Sequence, residues 1–155
     1  MRLLDYIAPE RITLDLAARD RKAAIAEMVS LMCAQSPSEY RDKILCDVLK
    51  REEAISTAIG EGIAIPHAKC ESAPGAVIAV GRAAQGIDFN ALDGRPVDII
   101  FMIVSPQRDA GLQLKILALL ARLFKDRTLV DQIRAAKAPQ DVISLLSRFD
   151  EATRL

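Results

Sequence analysis

Apolar residues recur along this chain with two different periods, and the places where the period changes divide it into elements. Near the start, Ile12-Thr13-Leu14-Asp15-Leu16 alternates apolar and polar, as a half-buried strand does. The spacing then changes. Ile25, Met28, Val29 and Met32 fall at i, i+3, i+4 and i+7, one face of a helix that Asp20 is placed to cap. Ser36-Pro37-Ser38-Glu39 predicts a second helix start, with Ser36 as cap, Pro37 in the first helical position and Glu39 closing a capping box. That helix should run to Arg51 or Glu52 and bury Tyr40, Ile44, Leu45, Val48 and Leu49.

From residue 53 to residue 70 the helical period is lost. Two glycines and a proline make this segment a shaped loop with short extended pieces. Ala76 to Arg82 reads as a strand, Asp93-Gly94 as a turn, and Val97 to Val104 as a central strand, because its nearly unbroken apolar run suits cover on both faces. Ser105 to Asp109 should be a loop. Leu112 to Phe124 comes next as a strongly apolar helix, with Gln113 and Lys115 as polar exceptions near its start, where side chains can reach a site. Thr128 to Asp131 matches a capping box and predicts a helix through Ala136. Pro139 opens a last helix with Val142, Ile143, Leu145 and Leu146 inward. Helices flanking a few strands predict an α/β fold, a mixed β-sheet sandwiched between helices. No repeat or low-complexity linker interrupts the pattern, so one domain over residues 1–155 is expected.

Composition narrows the function classes. Lys plus Arg (21) equals Asp plus Glu (21) and aromatics make up 4%, which argues against nucleic-acid or anionic-membrane binding. The longest apolar stretch is about eight residues around Ile99 to Val104, against the ~20 a membrane helix needs, and no signal peptide is visible. A soluble, cytoplasmic protein without membrane insertion is the expectation. Cys33, Cys46 and Cys70 are widely spaced and odd in number, which suits a reducing compartment. With one histidine and no CxxC, neither a metal nor another cofactor is expected.

The one histidine, His67, has an unusual setting. Ile63-Ala64-Ile65-Pro66 leads into it, and Pro66 fixes its own φ while biasing Ile65 toward extended geometry. That restriction is what a phosphoryl acceptor needs, since the ring nitrogen must meet phosphorus in line with the leaving group. Imidazole also offers a free nucleophilic nitrogen near neutral pH. Local chemistry alone leaves a structural reading open, an imidazole held by loop hydrogen bonds. Arg51, sixteen residues earlier at a helix end, could grip phosphate oxygens or be a surface arginine beside Glu52 and Glu53. Ser56 and Thr57 could donate to a phosphate or cap a turn. Gly60-Glu61-Gly62 lacks the third glycine of a dinucleotide fingerprint, and no Gly-Lys-Ser/Thr comes after it, so a nucleotide site has little support.

The run from Arg51-Glu52 through Ser56-Thr57 to Gly60-Glu61-Gly62-Ile63-Ala64-Ile65-Pro66-His67 resembles the signature of the IIA domains of the bacterial phosphoenolpyruvate:sugar phosphotransferase system, in the fructose/mannitol/nitrogen-regulatory (type-2) branch. Ile87-Asp88-Phe89-Asn90-Ala91-Leu92-Asp93-Gly94-Arg95-Pro96-Val97-Asp98-Ile99-Ile100-Phe101 resembles the family's second block, with Ser105-Pro106 after the strand. The resemblance extends from about residue 3 to residue 148. It implies an α/β sandwich, a phosphoryl group carried on His67, and Arg51 binding phosphate. The implied donor is the phosphocarrier HPr or its nitrogen-branch counterpart, and the implied acceptor is a cysteine on a IIB domain. It also implies an alternative role, a regulatory interaction protein whose partner binding depends on phosphorylation. Where the family pattern reads His-Leu-x-x-Leu, this chain has Gln113-Leu114-Lys115-Ile116-Leu117. Gln113 can donate a neutral hydrogen bond but cannot become cationic or shuttle a proton. The expected site is therefore His67, Arg51 and Gln113, with Ser56 and Thr57 as further phosphate donors.

Overall fold

The computed structural model describes residues 1–154. Two short 3₁₀ turns, Leu3–Asp5 and Pro9–Arg11, lead into β1 (Ile12–Thr13). Two helices come next, α1 (Arg21–Met32) and α2 (Ser38–Ala54), and then three short strands, β2 (Ala58–Gly60), β3 (Ile63–Ala64) and β4 (His67–Cys70). The long strands β5 (Val77–Ile87) and β6 (Val97–Pro106) precede α3 (Ala110–Lys125), α4 (Arg127–Arg134) and α5 (Pro139–Ala152). The sheet runs β1-β5-β6-β3-β2, with β4 also beside β6.

β6 is the centre of the sheet. It pairs antiparallel with β5 and parallel with β3 and β4. Ile63 pairs with Ile99 and His67 with Ile103, the same offset of 36 residues, so β3 and β4 are one strand line interrupted at Ile65-Pro66. Pro66 has no N–H to give, but its carbonyl still accepts from Ile103 N at 2.9 Å, and the line does not slip. Alternation then sorts the side chains. Ile63, Ile65, Ile99, Phe101 and Ile103 pack under α3, α4 and α5, with Phe101 edge-on to Phe124 at 5.2 Å. Ala64, Ala68, Ala79, Ile100 and Met102 face α1 and α2. The alanines let those two helices sit close. Gly81 goes further, since a Cβ there would lie 2.5 Å from Met28 Sδ.

The core strand β6 and the Asp20 cap stand where the pattern put them, as do Ile25, Met28, Val29, Ile44, Val48, Val142, Leu145 and Leu146 on the helical faces, while Met32 and Ile143 are half-buried; the Asp20 carboxylate accepts from Ala23 N. Several boundaries differ. The N-cap of α2 is Pro37, without a side-chain cap, so Ser36 and Glu39 form no capping box, and the helix continues to Ala54. Tyr40, Leu45 and Leu49 are only half-buried. α4 is capped by Asp126, whose carboxylate accepts from Leu129 N, rather than by Thr128, and it ends at Arg134. Asp126 also ends α3, so one residue serves both helices and no room remains for a later cap. Ser105 and Pro106 belong to β6, not to a loop, because they still pair with Lys69 and Cys70 of β4. β5 runs past Arg82 to Ile87 through a register shift, with Gly86 at φ +75°. β1 shrinks to two residues.

Candidate functional site

His67 opens β4, half-buried, on the α3 face of the sheet by alternation with Ile63 and Ile65. Its Nδ1 lies 2.7 Å from the Ile65 carbonyl oxygen. A carbonyl only accepts, so this contact places the neutral ring's proton on Nδ1 and leaves the lone pair on Nε2. Burial lowers the pKa of His67 below the ordinary value of 6.5. The Ile65 hydrogen bond opposes this, and the charges of Arg51 and Lys69 add to it. The imidazole is thus neutral and nucleophilic at neutral pH, with two cations in range of any anion it would carry.

Arg51 lies in the last turn of α2, and its Nη1 donates to the Ile55 carbonyl at 2.9 Å. That bond turns the guanidinium back along the segment leading to β2, and among the described residues its other N–H groups have no partner. Ser56 and Thr57 come next. Ser56 Oγ donates its proton to the Phe89 carbonyl, so its hydroxyl ties the segment to the 88–94 turn and has no proton left for a phosphate. Thr57 is buried. Its N–H is accepted by Glu52 Oε2 at 3.0 Å, and its carbonyl accepts from Ile65 N at 3.0 Å, two residues before His67. Thr57 Oγ1 and Glu52 Oε1 are buried without a hydrogen-bond partner among the described residues. Each such atom costs about 1–3 kcal/mol relative to a satisfied one.

Gln113 is in the first turns of α3, buried rather than reaching out, and its Nε2 donates to Ser105 Oγ at 3.0 Å. Ser105 stands two residues beyond Ile103, the register partner of His67, on the same face of the neighbouring strand. The strand register brings His67 and Ser105 together on one face, the Gln113 amide joins them through Ser105, and the charge of Arg51 bears on His67 from the end of α2. Sequence reasoning missed Glu52, Ser105 and Lys69. The first two are polar residues in otherwise buried positions, and only the alternation of β6 could have flagged Ser105. Cys70 is removed from consideration, because burial and then Asp47 push its thiol up to about 12.

Known proteins resemble this chain in sequence and in fold. The family described as "Phosphoenolpyruvate-dependent sugar phosphotransferase system, EIIA 2" matches residues 5–149. A nitrogen regulatory protein of Bradyrhizobium diazoefficiens is 32% identical over 95% of this chain and 95% of its own length. A PTS system fructose-specific EIIABC component of Bacillus subtilis is 30% identical over 97% of this chain, which spans 24% of that protein. Among solved structures, the nitrogen regulatory protein IIA-Ntr of Neisseria meningitidis superposes with a TM-score of 0.84 at 26% identity, covering 92% of this chain and 97% of that one. The IIA mannitol protein of Escherichia coli shares the fold, with a TM-score of 0.75 at 17% identity over 90% of this chain and 97% of that one.

Proposed function

Since this chain belongs to the EIIA type-2 family of the phosphoenolpyruvate-dependent sugar phosphotransferase system, we propose that it carries a phosphoryl group on Nε2 of His67. The observation that carries the reading is the Nδ1 contact to the Ile65 carbonyl, which commits one ring nitrogen and leaves the other as nucleophile. In the transfer, the lone pair on Nε2 forms the new N–P bond while the bond from phosphorus to the donor's nitrogen breaks. The proton on Nδ1 stays hydrogen-bonded to the Ile65 carbonyl, which stabilises the positive charge developing on the ring. Arg51 and Lys69 offset the negative charge spread over the equatorial oxygens. Gln113 contributes a neutral amide, and Thr57, through its carbonyl's bond to Ile65 N, holds the backbone that aims the ring. The donor is an HPr-like phosphocarrier. The acceptor is a IIB cysteine or, when no transfer occurs, the phosphorylated state itself is the signal.

The experiment is phosphorylation with phosphoenolpyruvate, enzyme I and HPr, counting acid-labile phosphate. One phosphate per chain is expected, absent from His67→Ala. Equal labelling of His67→Ala would falsify the assignment.

A second reading is favoured by the match over nearly the full length of a nitrogen regulatory protein. In it the chain is a regulatory partner whose binding changes when about two negative charges appear at His67. Pulldown with phosphorylated and unphosphorylated chain tests it, and identical partner sets would count against it.

A further inference from the structure

Ser105 is fully buried at the end of β6, and its hydroxyl is the partner of the Gln113 amide. Among the described residues, Gln113 Oε1 accepts no hydrogen bond, whereas Nε2 donates to Ser105 Oγ at 3.0 Å. Ser105 is the diagonal neighbour of His67 on one face of the parallel β4–β6 pairing, a spacing of about 8 Å, and the Gln113 amide lies against Ser105 on that face.

A hydroxyl accepts and donates, and a carboxamide does both from opposite ends. The pair can therefore exist in two senses. In the one observed, the NH₂ group is spent on Ser105 and the carbonyl is the free end. In the reverse, Ser105 Oγ–H donates to Gln113 Oε1, and the NH₂ group is the free end. The exchange replaces one neutral hydrogen bond by another, so the pair alone prefers neither sense strongly. A phosphoryl group on His67 would break the balance, because it brings three acceptor oxygens and bonds to ionised acceptors are the strong ones. A free carbonyl would face those oxygens with like partial charge.

With His67 taken as the phosphoryl acceptor, the reading on which this inference rests, we propose that Ser105 is a positioning residue that sets the orientation of the Gln113 amide. The Ser105–Gln113 pair reverses sense when His67 is phosphorylated, turning the NH₂ group toward the phosphoryl oxygens. Phosphorylation is then registered at the start of α3 by a side-chain rotation, with no backbone movement.

Nuclear magnetic resonance on the full chain tests this, with His67 phosphorylated chemically by phosphoramidate and monitored by its phosphorus signal. In the free protein the Gln113 side-chain amide protons should show a cross-relaxation peak to the Ser105 β protons. On phosphorylation that peak should disappear and the amide protons should move downfield. In Ser105→Ala the amide should lose its ordered contact in both states, and Ser105→Cys, which keeps a weak donor and acceptor, should restore part of it. A phosphohistidine signal accompanied by an unchanged Gln113 contact overturns the switch and leaves the carrier reading intact. A wild-type chain that yields no phosphohistidine signal overturns both.

Discussion

The strand line from Ile63 to Cys70 has two ends with opposite electrostatic habits. At the entry end, Glu61 sits at φ +58° between Gly60 and Gly62, both also at positive φ. Every polar group of Glu61 is committed there. Its N–H goes to Asp93 Oδ2 at 2.8 Å, its carbonyl accepts from Arg134 Nη2 at 2.6 Å, and its carboxylate pairs with Arg127 at 2.6 Å. Arg134 also pairs with Asp98 at 2.9 Å and with Asp131 at 3.2 Å. A cleft of about 190 Å³ opens there, lined by three arginines, yet two of them are already bound to carboxylates. At the exit end the polar groups are left over. Nε2 of His67, Oε1 of Gln113, Oγ1 of Thr57 and Oε1 of Glu52 have no partner among the described residues. Charge density therefore does not mark the proposed site here. Paired charges hold the shape of the turn, whereas unspent hydrogen-bonding capacity gathers around His67, the one other unpartnered buried atom among the described residues being Arg11 Nε in the turn before β1.

Substitutions can break the contrast at either end. The largest effect is expected from Arg51→Ala, which should slow phosphorylation of His67 about 10²–10³-fold, the usual cost of losing one charge-stabilising donor. Its unfolding midpoint should barely move, and an equal loss of stability would assign Arg51 to the fold instead. At the other end, Arg134→Ala should cost about 1–3 kcal/mol in urea unfolding, since it frees partly buried acceptors, while labelling of His67 proceeds as before. A tenfold fall in labelling would show that the two ends are coupled.

Acid gives a graded test. His67 is lowered in the folded state, so between its folded value and 6.5 the unfolded chain binds more protons. This group's share of stability is complete above 6.5 and is lost as pH falls through the folded value. The labelling rate should behave in parallel, flat through neutrality and dropping only at pH values below the ordinary histidine range. A midpoint at or above 6.5 would contradict a neutral, half-buried imidazole. The smallest effect belongs to Glu61→Gly. Relief of the left-handed backbone offsets the exposed Arg127 pair, and stability should change by less than about 1 kcal/mol.

Much of this contrast was legible in the sequence on one side only. The apolar β6, the Asp20 cap and the centres of the helical faces are local patterns, and they stand as read. What the chain does not display locally is pairing at a distance. Glu61 finds Arg127 and Arg134 at separations of 66 and 73 residues, and Arg82 caps the end of α4 through the carbonyls of Arg134 and Ala136. Gln113 read as a polar exception able to reach a site, but helical periodicity does not show that β6 offers it Ser105 as a partner. Ser56 looked like a phosphate donor because nothing nearby in sequence predicts that Phe89 takes its proton. Asp126 displaced Thr128 as a cap because α3 and α4 share a single junction residue.

The unbroken register of Ile63 to Cys70 against β6 limits how this chain can change length. Side chains in a strand alternate faces, so one residue gained or lost between Ile63 and His67 would send the imidazole to the opposite side of the sheet, beneath α1 and α2. The stretches 71–76 and 88–96 lie outside the strands and carry no such parity rule. Contacts rather than parity restrain 88–96, where Phe89 is fully buried and takes the Ser56 proton and Asp93 holds the Glu61 N–H, whereas between Ile63 and His67 any single-residue insertion or deletion moves the imidazole off its face.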